Sequence, residues 1–203
     1  MRRSRQMLVC LWLTTIIIPS SFSAAEHVSK EAAVAQQAWH EMEKVLLHPR
    51  CLNCHAAGEA PTQADDRHTH QFRVLNGHEG KGNSGNLCIA CHQSTNQLGS
   101  GVPGASHWQH APASMTWESE PGKVFKSKDL CQILRDPKKN GGRDLPALIE
   151  HLRTEPLVLW AWTPGKNAKG EARSTPVISH EEFMRYSVLW AEKGGICPND
   201  ALR

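Results

Sequence analysis

The chain has 203 residues and carries 23 Lys and Arg against 20 Asp and Glu, a formal net charge of +3. Three of the basic residues lie within the first five, in a segment typical of export signals, and without them the chain holds 20 residues of each sign. A formally neutral chain does not suggest nucleic-acid binding, which depends on a basic surface. Residues 26–203 are long enough for one domain with a hydrophobic core.

Residues 1–25 are predicted to be a Sec signal peptide. A basic start is followed by an apolar run from Met7 to Ile18 and then by small residues up to Ala25, which is the order of regions in such signals. The 12-residue apolar run is shorter than the about 20 residues that cross a bilayer. We therefore expect a periplasmic protein, with retention of this segment as a membrane anchor as the alternative.

The first predicted helix follows this signal. Ser29 is its expected N-cap, and apolar residues recur at helical spacing until about Leu47. His48 and Pro49 are expected to end it. Residues 56–87 and 93–120 are rich in glycine, proline and polar residues without apolar periodicity, so we expect loops in both segments.

Further helices are predicted in the second half of the chain. Ser127–Arg135 is expected to be a helix capped by its first residue, and Asp144 is expected to open another. The apolar run from Leu157 to Trp162 is predicted to be a strand or a buried extended segment. Ser179 and Glu182 have the spacing of a capping box at the start of the last helix, which a pair of glycines is expected to end.

Two five-residue segments, 51–55 and 88–92, carry the pattern Cys-x-x-Cys-His, which attaches c-type haem. On a helical turn the first, fourth and fifth positions share one face, so both thiols and the imidazole can meet one flat porphyrin. A Cys-x-x-Cys pair alone also occurs in zinc and redox sites, and the trailing histidine in both copies makes haem the stronger interpretation. The predicted haem-binding residues are Cys51, Cys54, His55, Cys88, Cys91 and His92.

The two motifs begin 37 residues apart, which is too close for two tandem cytochrome domains. Both haems are therefore expected within one fold. The predicted fold class is mainly α and loop-rich, namely a single compact dihaem cytochrome c domain over residues 26–203 with few or no strands.

The motifs define His55 and His92 as the proximal iron ligands and leave the sixth ligands open. Histidine or methionine in that position matters because the axial pair strongly affects the reduction potential. The preferred candidates, His70 and Met115, lie in loop segments that have no other evident reason to be ordered. The alternatives are His78 and His107, followed by His68, His110 and His151.

The cysteines outside the motifs and the signal segment are Cys131 and Cys197. In an oxidising compartment such a pair most simply forms a disulfide. The bond would join a mid-chain helix to the C-terminal region.

Tryptophan dominates the aromatic residues, with 7 Trp against a single Tyr. Four of them flank the loop segments, where they are expected either to pack on the porphyrins or to belong to the core. These four are Trp108, Trp117, Trp160 and Trp162.

Several stretches together carry a family resemblance. They are residues 48–55, 65–71, 101–108, 111–115, 136–143 and 160–162. As a set they resemble small bacterial dihaem cytochromes that carry the name isoquinoline 1-oxidoreductase subunit. The resemblance implies an exported electron carrier that serves a dehydrogenase or a molybdenum hydroxylase.

The leading functional hypothesis is a periplasmic c-type dihaem cytochrome with two covalently bound haems. It would pass single electrons from a partner dehydrogenase or molybdenum hydroxylase to the respiratory chain, without catalysing a reaction itself. The enzymatic alternative is a small haem peroxidase-like protein in which one iron lacks a sixth ligand. A third hypothesis is a structural zinc site formed by the four motif cysteines. The expected partners are a redox donor and a downstream acceptor, and no nucleic acid.

Overall fold

The computed structural model describes residues 21–200, and the side chains of residues 26–200. Residues 1–20, which hold most of the predicted signal peptide, lie outside this range. The helices are α1 Ser21–Leu46, α2 Pro49–Leu52, α3 Cys88–Cys91, α4 Ser127–Arg135, α5 Leu145–Thr154, α6 Pro156–Trp160 and α7 His180–Glu192. The strands form three antiparallel hairpins, β1 Thr62–Gln63 with β2 His68–Thr69, β3 Gly82–Asn83 with β4 Asn86–Leu87, and β5 Glu118–Glu120 with β6 Lys123–Val124. Among the described residues helices outweigh strands and loops are long, so this part of the prediction is confirmed. The six short strands make the fold mixed, where few or none were expected, and the single dihaem domain stays a prediction.

The hydrophobic core forms mainly between α1 and α7. The rings of Trp39 and Trp190 lie 5.7 Å apart in this interface, and Phe183 is almost fully buried beside them. Cys131 of α4 forms the predicted disulfide with Cys197, with their Cα atoms 5.6 Å apart. Among the described residues, none of the helices is both long enough and apolar enough to span a bilayer.

Helix α1 extends further toward the N-terminus than predicted. Ser29 lies inside the helix and does not cap it. The reason is that no proline or glycine interrupts the residues from Ser21 onward, and a residue able to cap a helix does not by itself stop one. The other end, at Leu46, is within one residue of the prediction. His48 then caps the short helix α2, where its Nδ1 accepts from the amide of Arg50 at 3.2 Å.

Ser127 is the first residue of α4, and Lys126 takes the N-cap position that was predicted for Ser127. The Ser127 hydroxyl donates to the Glu43 carboxylate at 2.8 Å and accepts from the Trp39 indole at 2.9 Å. Contacts with α1 therefore replace the local cap. The other two predicted caps are confirmed, because Asp144 accepts from the Ala147 amide at 2.9 Å and α7 begins with a complete capping box.

The apolar run from Leu157 to Trp162 is helical, so the predicted strand or extended segment is wrong. Pro156 opens α6, and the amide of Leu159 donates to the carbonyl of Glu155 at 3.0 Å. A short apolar run does not distinguish a strand from a buried helical turn by periodicity, and proline at the first position favours the helix.

The long segment 57–104 contributes no buried apolar side chain to the core. Hairpins and single turns of 3-10 helix organise it. Five of its non-glycine residues have positive φ, namely Ala64, Arg67, Phe72, Arg73 and Glu79. Such conformations persist only where the surroundings hold them in place, and the apolar core does not reach this segment.

Candidate functional site

The first motif begins inside α2, whose opening residue is Pro49. The helical turn continues past the end of α2, because the amide of His55 donates to the carbonyl of Cys51 at 3.1 Å. Cys51, Cys54 and His55 therefore share one face of a helical turn.

The second motif repeats this local geometry. Cys88 opens α3 directly after β4, and the amide of His92 donates to the carbonyl of Cys88 at 2.9 Å. Both predicted motifs are thus folded in the conformation that directs two thiols and an imidazole to the same side.

The two motif histidines are oriented in the same way. His55 Nδ1 donates to the carbonyl of Met115 at 2.7 Å, and His92 Nδ1 donates to the carbonyl of Pro103 at 2.8 Å. A carbonyl oxygen only accepts, so Nδ1 carries the proton on both rings. Nε2 is left with its lone pair, and it has no hydrogen-bond partner among the described residues. A metal-ligating histidine typically donates its other ring nitrogen to such an acceptor.

Each motif histidine also stacks on an indole ring. The His55 and Trp117 rings are 3.7 Å apart with an interplanar angle of 8°, and the His92 and Trp108 rings are 4.4 Å apart with an angle of 3°. Trp160 meets Trp108 edge-on at 4.9 Å. Trp117 and Trp108 therefore fix the planes of the two imidazoles, and Trp160 packs against Trp108.

A cavity of about 380 Å³ lies against the first motif. Cys51, Cys54 and His55 line it together with apolar side chains from α1, α4, α5 and α6. The volume lies within the range of about 300–1,000 Å³ that is usual for ligand and cofactor sites. Its charged lining is mainly basic, and consists of Arg50, Lys139, Arg143 and Glu155.

Burial controls the protonation of the first motif. It raises the pKa of Cys51 to about 12, and together with the neighbouring Cys88 thiol it raises the pKa of Cys54 to about 11. It lowers the pKa of His55 to about 4, against the effect of the hydrogen bond to the Met115 carbonyl. At neutral pH the thiols are therefore protonated and the imidazole is neutral, because charge is costly in an apolar site.

The two motifs lie side by side. The carbonyl of Gly80 accepts from the Cys88 thiol at 3.6 Å and from the amide of His110 at 2.8 Å. The next amide, of Ala111, donates to the carbonyl of Cys54 at 3.0 Å. Gly80 permits this junction because it has a φ of +75° and because a Cβ there would lie 2.0 Å from the carbonyl oxygen of His110.

The second motif lies at the surface. Cys91 is exposed, and the Ile89 side chain between the two thiols is 61% exposed. His70 is the predicted sixth ligand that the fold brings to this motif, because its ring centroid lies 5.9 Å from that of His92 at an angle of 68°. His70 Nδ1 donates to the carbonyl of Gln71 at 2.7 Å, so its Nε2 is also left with a lone pair.

The other candidate ligands fall into two groups. Three are exposed, and one of them, His68, hydrogen-bonds to Asp66 at 2.6 Å. The remaining three line the cavity at the first motif. The exposed group is His68, His78 and His107, and the cavity group is His110, Met115 and His151.

Within residues 26–200, no three His, Cys, Asp or Glu side chains gather as a metal-binding cluster. The four motif cysteines therefore do not form the tetrahedral arrangement that the zinc hypothesis requires. Each motif supplies one imidazole and two thiols on a shared face, which is a different arrangement.

Sequence reasoning missed several residues that build the site. Arg50 is 4% exposed, pairs with Asp65 and lies 5.8 Å from the centroid of the Trp160 ring. Its position directly before Cys51 was the only available signal. The carbonyl acceptors on Pro103 and Met115 have no side-chain signal, because any residue supplies a carbonyl oxygen.

Comparisons with protein-family models, with curated proteins and with solved structures found no match. The family resemblance therefore depends on the short stretches given above. The function is argued from the two motifs and their surroundings.

Proposed function

We propose that this chain is a periplasmic c-type dihaem cytochrome that transfers single electrons, from a partner dehydrogenase or molybdenum hydroxylase toward the respiratory chain. The observation that carries the proposal is the shared orientation of His55 and His92. In both, Nδ1 donates to a backbone carbonyl, Nε2 has no hydrogen-bond partner among the described residues, and the ring belongs to a helical turn that also carries two thiols.

The residues fit a haem group in their chemistry as well as in their placement. The first motif faces a cavity with apolar walls and three basic side chains, Arg50, Lys139 and Arg143. A porphyrin offers a large apolar surface, and its propionates are carboxylates that arginine binds well. A thioether carries no charge, so sulfurs attached to a haem would suit the apolar walls around Cys51 and Cys54.

The second motif fits for a different reason. Residues 57–104 contain strained backbone and no buried apolar side chain. An apolar plate attached at Cys88 and Cys91 would supply the missing surface and would cover exposed groups such as Ile89. The 5.9 Å separation between the rings of His70 and His92 supports His70 as the residue that would complete the coordination at the second motif.

A bound c-type haem supplies an iron that cycles between the ferric and ferrous states and so carries one electron. His55 and His92 would hold the iron, and Trp117 and Trp108 stack on these two imidazoles and set their planes. The junction at Gly80 keeps the two motifs adjacent, which favours electron exchange between the two sites.

The test is covalent haem content. The full chain, produced in a bacterial host with an active haem-attachment system, is expected to give a pyridine haemochrome spectrum of c-type haem and an intact mass with two haems added. Replacement of Cys88 and Cys91 by serine should leave one haem, attached at the first motif. A chain that reaches the periplasm with both thiol pairs intact but without covalent haem would refute the proposal.

A further inference from the structure

We propose that His151 is the sixth ligand of the iron at the first motif. The proposal rests on the proposed function, because it assigns the remaining coordination position of that cytochrome. His151 is not the preferred candidate from the sequence, which favours His70 and Met115.

The position of His151 in the fold is the first argument. His151 lies in the last turn of α5, and its side chain lines the same cavity as Cys51, Cys54 and His55. Leu148, Ile149 and Leu152 of the same helix are buried. A ring on a packed helix is held in place more firmly than one on a loop.

The loop that supplies the competing candidates is bound to the proximal side of the motif. The carbonyl of Met115 accepts from His55 Nδ1, and the amide of Trp117 donates to the carbonyl of His55 at 2.8 Å. The amide of Ala111 donates to the carbonyl of Cys54 at 3.0 Å. The backbone of residues 111–117 is therefore held against Cys54 and His55, whereas no residue of α5 hydrogen-bonds to residues 51–55 in the described part of the chain. A sixth ligand would have to approach the iron from the side away from His55, and α5 is not tied to the His55 side in this way.

His110 is the closest competitor. It is 5% exposed, its Nδ1 donates to the carbonyl of Ala111 at 2.7 Å, and its Nε2 is buried without a hydrogen-bond partner among the described residues. Its backbone amide, however, is bound to Gly80 at the junction of the two motifs. This holds the backbone of His110 close to Cys54 and Cys88, where the thioether bonds to a haem would form.

Glu155 completes the argument for His151. One carboxylate oxygen of Glu155 lies 3.8 Å from His151 Nδ1, and its other oxygen is buried without a hydrogen-bond partner among the described residues. A carboxylate next to the non-coordinating nitrogen is the usual means of orienting a histidine ligand. Glu155 is therefore the side chain placed to orient His151, at a separation of 3.8 Å that is longer than a direct hydrogen bond.

The assignment has a functional consequence. With His70 opposite His92 and His151 opposite His55, both irons have two histidine ligands and neither has an open position. Two imidazole ligands also favour a lower reduction potential than a histidine and methionine pair. The protein would then carry electrons and would not bind peroxide at the iron.

The test is the spin state of the oxidised dihaem protein, measured by electron paramagnetic resonance and absorption spectroscopy. The wild-type protein is expected to contain two low-spin haems that do not bind azide. His151→Ala should retain two covalent haems, convert one of them to a high-spin form that binds azide, and return to the low-spin form when imidazole is added. His40→Ala, which removes an exposed histidine of α1, is the matched control and should leave both haems low-spin.

Two further variants keep the proposal falsifiable if His151→Ala does not fold. His151→Met should remain six-coordinate and raise one of the two midpoint potentials. Glu155→Gln should shift the same potential without opening the iron. The proposal is overturned if His151→Met leaves both potentials unchanged, if a high-spin haem is already present in the wild type, or if His110→Ala or Met115→Leu opens the iron in place of His151→Ala.

Failure of the proposed function is distinguishable from failure of this assignment. Wild-type protein without covalent haem would refute the cytochrome itself. Two covalent haems with a different sixth ligand would refute only the role of His151.

Discussion

The two motifs have the same five-residue pattern and the same local turn, yet the fold places them in opposite surroundings. The first motif faces a cavity of about 380 Å³ between helices. The second follows a two-residue strand on a segment without buried apolar side chains, and Ile89 within it is 61% exposed. An identical attachment chemistry can therefore serve two sites that differ in solvent access.

This difference bears on the proposed electron transfer. Burial and solvent exposure are among the main determinants of haem potential. The site at His55 is lined by apolar side chains and by Arg50, whereas the site at His92 lies at the surface. Under the proposed function, the surface site would exchange electrons with a redox partner, and the internal site would exchange them with the surface site across the junction at Gly80.

The largest expected effect comes from removing each attachment in turn. Cys51→Ser with Cys54→Ser should prevent stable folding, because the apolar walls of the cavity of about 380 Å³ would face water without the haem that is proposed to cover them. A loss of several kcal/mol would be a large part of the stability of a typical domain, about 5–15 kcal/mol. Helix content by circular dichroism and resistance to trypsin are the measurements.

The matched control is Cys88→Ser with Cys91→Ser. This pair should keep the helical core folded with one haem and should loosen only residues 57–104, detected by faster amide hydrogen exchange there. Equal loss of helix content in the two double variants would show that the surroundings of the motifs do not differ in the way the fold indicates.

The next effect concerns the disulfide between Cys131 and Cys197, which are 66 residues apart in the sequence. Cys131→Ser with Cys197→Ser should lower the free energy of unfolding by about 4 kcal/mol, from the chain entropy of the unfolded state. Denaturant unfolding measures it. Hydrogen exchange in residues 57–104 should not change, because the disulfide joins α4 to the C-terminal region and does not touch the second motif. Faster exchange at the second motif would mean that the two regions are not independent.

How far the sequence predicts this molecule depends on whether a feature is local. Asp144 and Ser179 cap their helices as predicted because a cap is made with an amide three residues away. Ser127 does not, because Glu43 and Trp39 of a distant helix compete for its hydroxyl. The apolar residues from Leu157 to Trp162 follow each other without the spacing of either a helix or a strand. The sequence alone therefore did not show that this segment is helical.

The candidate site likewise has one part that follows from the local sequence and another that depends on the fold. The six motif residues follow from the pattern itself. His70 lies beside His92, and its role as a ligand stays a prediction. The acceptor carbonyls of Pro103 and Met115 could not be predicted, because they depend on chain placement and not on residue type. The position of His151 is likewise a property of helix packing, and Glu155 four residues later was its only local signal.

A smaller effect is expected from the stacked indoles. Trp117→Leu should lower the free energy of unfolding by about 2 kcal/mol and Trp108→Leu by about 1 kcal/mol, within the usual range for single substitutions. The order follows from burial, because Trp117 is 8% exposed and Trp108 is only partly buried. Both variants should retain two covalent haems, since neither indole is a ligand. Denaturant unfolding gives the ranking, and a larger loss for Trp108→Leu would contradict the deeper burial of the first motif.

The smallest effect concerns acid sensitivity near the first motif. Burial lowers the pKa of His110 below its ordinary value, against the effects of its hydrogen bond to Ala111 and of the nearby Glu118 charge. The unfolded chain then binds a proton more readily than the folded chain, so stability is fully present above about pH 6.5 and declines as the pH falls below that value.

His110→Gln should flatten this decline in unfolding measurements between neutral and mildly acidic pH. His68→Gln, which changes an exposed histidine of the other region, should leave the decline as it is. An unchanged slope in His110→Gln would mean that His110 is already protonated in the folded chain, or that water reaches it, and the first motif would then be less enclosed than its cavity indicates.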